Sequence, residues 1–113
     1  MSTNQVTLSG RVSADPEVRR LPSGDEVVSF RLVVRPSKAA MRRSKQSVDT
    51  FECAAWSSAM RRVARRLSAG EHVEITGELR RRFTRHTGIP MSWVSVEVAT
   101  CRRLRSPTVA SGT

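Results

Sequence analysis

From Val6 onward apolar and polar residues alternate, with Val6, Leu8, Gly10 and Val12 on one parity and Thr7, Ser9, Arg11 and Ser13 on the other. A period of two puts the first set inward and the second outward on a half-buried β-strand. Asp15-Pro16 interrupts the pattern, and Leu21-Pro22-Ser23-Gly24 carries the chemistry of a turn. A second strand follows, with Val28, Phe30, Leu32 and Val34 inward and Ser29, Arg31, Val33 and Arg35 on its other face. Between Pro36 and Ser47 the apolar period disappears, which predicts a loop carrying Lys38, Arg42, Arg43 and Lys45. A third strand is expected over roughly Val48 to Trp56.

Ser57 and Ser58 are both suited to cap a helix, because a serine hydroxyl accepts a bond from a first-turn amide. Met60, Val63, Ala64 and Leu67 then recur at helical spacing as one apolar stripe, and Gly70 offers a left-handed stop. Arg61, Arg62, Arg65 and Arg66 fall on the opposite, solvent-facing side. Two further strands are expected, one with Val73, Ile75, Gly77 and Leu79 inward and one with Val94, Val96 and Val98 inward. A hairpin holding Thr87-Gly88-Ile89-Pro90 joins them. Three strands, a helix and two strands fit an all-β OB-fold, a five-stranded Greek-key barrel with one helix between strands three and four. An SH3-like barrel does not normally carry a three-turn helix there. Residues 1–105 are read as one domain and residues 106–113 as a short, uncharged, disordered tail.

Charge sharpens the picture. Of 113 residues 18 are Arg and 2 are Lys, and the net charge is +10. Such an excess repels itself unless a polyanion is the working partner. Guanidiniums also suit planar, bidentate and stacking contacts with phosphates and bases better than ammonium groups do. No apolar run approaches a membrane span, and Met1 to Gly10 lacks the form of a secretory signal, so no membrane association and a cytoplasmic, nucleoid-associated location are expected. Cys53 and Cys101 lack metal-ligand spacing and His72 and His86 are the only histidines, so no metal and no cofactor are expected. The chain also lacks a Ser/His/Asp or Cys/His set and a phosphate-binding glycine loop, and it is not read as an enzyme.

Several strings resemble bacterial single-stranded DNA-binding proteins. They are Asn4-x-Val6-x-Leu8-x-Gly10, Asp15-Pro16-Glu17-Val18-Arg19, Pro22-Ser23-Gly24 and Val28-Ser29-Phe30 in the first part of the chain. Cys53-Ala54-Ala55-Trp56, Val73 through Arg80, and Val96-Glu97-Val98 continue the resemblance to about residue 104. It implies an OB-fold that grips single-stranded DNA without sequence preference in replication, repair or recombination, usually as a homotetramer. It also implies that aromatics on strand three and on the last hairpin stack on bases, at positions matched here by Trp56 and Phe83. Three departures stand out. Thr50 replaces an aromatic six residues before Trp56, leaving Phe51 on the opposite parity as a core or subunit-interface residue. The spacing from Gly77 to Phe83 is one residue shorter than usual. The family's acidic, aromatic tail tip has no counterpart, so recruitment of replication or repair enzymes by such a tip is not expected.

The candidate nucleic-acid-binding residues are therefore Arg11, Arg31 and Arg35 on the outward parity of the first two strands, with Trp56 beside them. Arg80, Arg82, Phe83, Arg85 and Trp93 are expected to form a basic, aromatic hairpin arm. Trp93 is equally suited to stacking and to subunit packing. Two other functions stay open: an RNA-binding OB module, and a protein–protein adaptor whose barrel docks an acidic partner.

Overall fold

The computed structural model describes residues 1–86 and 88–105, with the backbone alone for residues 84–86. Strand β1 (Val6–Val12) has the alternating burial its sequence predicts and ends on Val12, which is fully buried. Strand β2 (Glu17–Arg20) is an exposed ribbon that forms a hairpin with β3 (Glu26–Val34). The turn between them closes through the Gly24 amide, which donates to the Leu21 carbonyl at 2.9 Å, and Gly24 has φ +94°. A side chain there is strained, which fits the Pro-Ser-Gly sequence. After β3 come α1 (Lys38–Arg43), β4 (Asp49–Ala55), α2 (Ser58–Arg65), β5 (His72–His86) and β6 (Ile89–Arg103).

Five of the strands close a ring. β1 pairs with β5, β5 with β6, β6 with β4 in parallel, β4 with β3, and β3 returns to β1 at Arg11↔Val33 and Val12↔Leu32. This is the expected five-stranded OB barrel, with β2 as a sixth strand outside the ring. Val12, Val28, Phe30, Leu32, Val73 and Ile75 fill its interior, and Ala64 and Leu67 follow from the helical segment. Burying a side chain of this size stabilises by about 1.5–3 kcal/mol before cavity terms.

Helix α2 starts where the sequence indicates, with the Ser57 hydroxyl accepting from the Met60 amide at 3.2 Å. It ends earlier than expected. The Arg66 and Leu67 amides bond three residues back, at 3.1 Å each, a tightened last turn that pushes Leu67 into the core. Gly70 (φ +92°) therefore does not stop the helix; its amide donates to the Val12 carbonyl at 2.8 Å and turns the chain into β5. The segment expected as a loop contains the short helix α1, capped by Ser37 through the Ala40 amide at 3.2 Å. It buries no residue, so it leaves no apolar period to read.

The other departure lies where the barrel wall becomes an arm. A register shift between Thr76 and Gly77 leaves Ala99 unpaired on β6. Gly77 backs onto the Glu97 carbonyl so closely that a Cβ has no room. Past this bulge β4 still pairs with β6 at Val96 and Glu97, and from Arg80 and Ser95 outward β5 and β6 run on as a two-stranded ribbon. Leu79 and Val94, expected inward, are 44% and 43% exposed because the barrel no longer covers them. Residues 106–113, expected as a disordered tail, lie outside the described residues.

Candidate functional site

The outward residues of β3 and β4 face each other in register as Ser29↔Ala54, Arg31↔Glu52 and Val33↔Thr50. Trp56, one residue beyond β4, keeps the parity of Glu52 and Ala54. On the arm, Arg80↔Ser95 and Arg82↔Trp93 share the face that carries Glu97, and Glu97 is aligned with Ala54 of β4. The arm thus extends the outer wall of the barrel and folds over it. Between them lies a groove of about 1010 Å³, bounded by Arg19, Arg31, Glu52, Trp56, Arg82 and Trp93.

Two cations of this groove, Arg31 and Arg82, are already occupied from within. Arg31 Nε is 3.3 Å from Glu52, and Arg82 Nη2 is 3.4 Å from Glu97. The Arg82 guanidinium also rests over the indole of Trp56, 5.2 Å from the ring centroid, within the range of a cation–π contact. Solvent-accessible ion pairs contribute at most about 1 kcal/mol, so an arriving phosphate competes for these guanidiniums at small cost.

Trp56 is held by its backbone. Arg61 Nη1 donates to the Trp56 carbonyl and, at 3.5 Å, to that of Glu26. Glu26 also pairs with Arg65 at 3.0 Å and Arg20 at 3.3 Å, so β2, β3 and α2 are tied together at the junction. Arg61, expected on the solvent face of the helix, is half-buried and holds the Trp56 carbonyl. Its guanidinium reaches back past Ser57 to a carbonyl five residues earlier, which helical periodicity does not reveal. The indole N–H is buried without an acceptor among the described residues, so ring packing and Arg82 set the side-chain pose.

Of the sequence-predicted residues, Arg31, Trp56, Arg82 and Trp93 meet around this groove. Arg80 lies on the same arm face, exposed, two residues before Arg82. Three expected residues, Arg11, Arg35 and Phe83, stand outside this groove. Arg11 and Arg35 have the outward parity but line a different depression, of about 440 Å³, because the closed wall carries that parity around the barrel to another side. Phe83 pairs with Ser92 on the reverse of the arm, with Leu79 and Arg81, and is 75% exposed. Its odd spacing from Arg82 turns it away from the groove, and the ring that faces Trp56's side is Trp93. The side chain of Arg85 lies outside the described residues. Thr50 lines the groove where an aromatic was absent, and Phe51 points to the core side, half-buried and opposite Leu32. Arg19 was not anticipated, since its exposed strand β2 has no apolar alternation; it pairs with Val27.

Neither cysteine belongs to this surface chemistry. Burial first, then the neighbouring Glu52 and Cys101, push the Cys53 thiol up to about 12. Burial also raises that of Cys101. No group of three or more His, Cys, Asp or Glu side chains is placed to hold a metal, and no helix is long and apolar enough to cross a membrane, among the described residues.

Comparison with known proteins gives a consistent result. The model of the "Single-strand binding protein family" matches residues 3–104. A single-stranded DNA-binding protein of Mycolicibacterium smegmatis is 35% identical over 98 residues, covering 82% of this chain and 59% of that protein. Single-stranded DNA-binding protein 3 of Listeria innocua is 35% identical over 80 residues, covering 70% and 49% respectively. The chain thus spans between about half and three-fifths of the length of these curated relatives. Among solved structures, a Plasmodium falciparum SSB in complex with ssDNA superimposes with a TM-score of 0.76 at 19% identity, covering 92% of this chain and 96% of that one.

Proposed function

This chain belongs to the single-strand binding protein family, and we propose that it binds single-stranded DNA in the β3–β4–arm groove, non-catalytically and without reading sequence. The supporting observation is the convergence of two indoles, Trp56 and Trp93, with Arg31 and Arg82 on one open wall. Unpaired strands expose flat base faces and a phosphate chain together, and rings interleaved with guanidiniums meet both without touching base edges. Arg19 and Arg80 stand at the margins of the same track. The work such binding serves is replication, repair or recombination, in the cytoplasm and nucleoid.

A second copy of the chain is part of this reading. Among the described residues β1 from Val6 to Gly10 pairs on one side alone, with β5, so an open strand edge is offered for pairing. A homotetramer is the assembly proposed, and light scattering of the purified chain measures it.

Titration with poly-dT at several salt concentrations, read by tryptophan emission, tests the main reading. Binding is expected to quench emission and to weaken with salt by about 0.7 log units per log unit for each phosphate contacted. Equal affinity for duplex and single strands refutes it. An adaptor role has one observation of its own, the exposed Leu79 and Phe83 on the reverse of the arm. Partner capture that survives nuclease and high salt selects it, and preference for structured RNA over poly-dT selects an RNA role.

A further inference from the structure

The groove contains one side chain of the wrong sign for phosphate. Glu52 is the sole carboxylate lining it among the described residues, beside Arg19, Arg31 and Arg82. Its side chain is 43% exposed, and Arg31 Nε reaches only one of its oxygens, Oε2, at 3.3 Å. The other oxygen, Oε1, accepts no hydrogen bond among the described residues. The residues around it on that face are small. Ala54 is the next of the same parity on β4, and Ser29 stands opposite Ala54 on β3, so a low floor separates Glu52 from Trp56. At about 3.3 Å per residue of extended chain the two are roughly 13 Å apart. A base lying on this floor beside the indole turns its edge toward the carboxylate.

An ionised carboxylate accepts hydrogen bonds and donates none. Within a DNA strand the phosphates only accept, and the N–H donors all belong to base edges. Guanine is the base whose unpaired edge carries two adjacent donors, N1–H and the N2 amino group, and they meet two carboxylate oxygens side by side as a guanidinium does. We propose that Glu52 makes this part of the groove a guanine seat, its Oε1 and Oε2 accepting from N1–H and N2–H. Arg31 keeps its hold on Oε2, since a carboxylate has about four lone-pair sites. This inference rests on the groove reading above. Rings and guanidiniums leave sequence unread; Glu52 adds a preference for one base type at one seat, which any guanine of a passing strand fills.

The test uses the full chain and oligonucleotides of about 16 nucleotides, the upper site size for one OB-fold. One is all thymidine, and the other has guanine in place of every fourth thymine, so that no two guanines are adjacent. The parent is expected to bind the guanine oligonucleotide about fivefold more tightly, the low end of what a bidentate base contact discriminates. Hypoxanthine in place of guanine, which lacks the N2 amino group, is expected to lose most of that preference. With 7-deazaguanine, which keeps N1–H and N2–H but lacks N7, the preference is expected to persist. Glu52→Gln is expected to bring the two oligonucleotides within about twofold of each other, and to tighten thymidine binding by a few-fold as Arg31 is freed. Glu52→Ala, with no amide at the site, is expected to lose the preference too. Four results overturn the proposal: no preference in the parent, a preference undiminished in Glu52→Gln, one that hypoxanthine keeps in full, or one that 7-deazaguanine loses, which assigns it to Arg31 at N7. If the parent binds neither oligonucleotide, the groove reading itself fails and takes this one with it, an outcome distinct from those four.

Discussion

The barrel and the arm are made from the same two strands, β5 and β6, yet they obey different rules. Within the barrel each inward residue is enclosed, as Val73, Ile75 and Val96 are at 0–1% exposure. Among the described residues from Arg81 and Val94 outward neither face of the ribbon is enclosed, and rings and guanidiniums occupy both. One region therefore stores stability and the other presents chemistry. The difference shows that a strand's alternation specifies structure only while something covers one of its sides.

Substitutions in the two regions should separate these roles. The largest effect is expected from Ile75→Ala, which removes buried atoms from a closed core and should cost about 2–5 kcal/mol in denaturant unfolding. Binding of poly-dT by the remaining folded fraction should be nearly unchanged. Next comes Trp56→Ala, where each stacked base is worth about 1–3 kcal/mol, so affinity should fall roughly 5- to 150-fold with little loss of stability. Trp93→Ala should show the same kind of loss, and an unchanged affinity would remove the arm from the site. Phe83→Ala should alter poly-dT affinity by less than either tryptophan change, because its ring is on the other side. A Phe83 effect equal to that of Trp93 would erase the distinction between the two faces of the arm.

Acidity offers a subtler probe of the barrel. The Cys53 thiol is held near 12 in the folded protein against 9.0 unperturbed, so folding favours the protonated form. That contribution is complete below about pH 9 and is lost as pH rises toward about 12. Thermal melts should show an alkaline decline that Cys53→Ala flattens, and Cys53 should resist thiol reagents at neutral pH until the protein unfolds. The smallest effect is expected from Glu97→Gln. Freeing Arg82 from its carboxylate should tighten poly-dT binding by a few-fold, in line with an exposed pair worth at most about 1 kcal/mol.

Much of the barrel was legible because enclosure makes period two unambiguous. Val6 through Val12 and Val28 through Leu32 read correctly, and Ser57 marked the helix start. The short α1 was not legible, since a helix with no buried face has no apolar rhythm. Exposed β2 left no trace for the same reason, and with it Arg19 was missed. The groove was half legible. Arg31 and Trp56 followed from parity on paired strands, but Arg11 and Arg35 shared that parity without sharing the site, because a closed wall has an outside all the way around. Phe83 and Trp93 lie on opposite faces of the arm. Composition marks an aromatic, while the face it occupies depends on counting from Arg82 along a ribbon that nothing buries.

The guanidinium of Arg82 lying on Trp56 means that the protein is its own first ligand. A nucleobase reaching that indole meets no bare surface; it evicts a cation, which is then left beside the incoming strand's negative charge. Affinity at this ring accordingly measures an exchange between two occupants, and weakly stacking bases gain least from it.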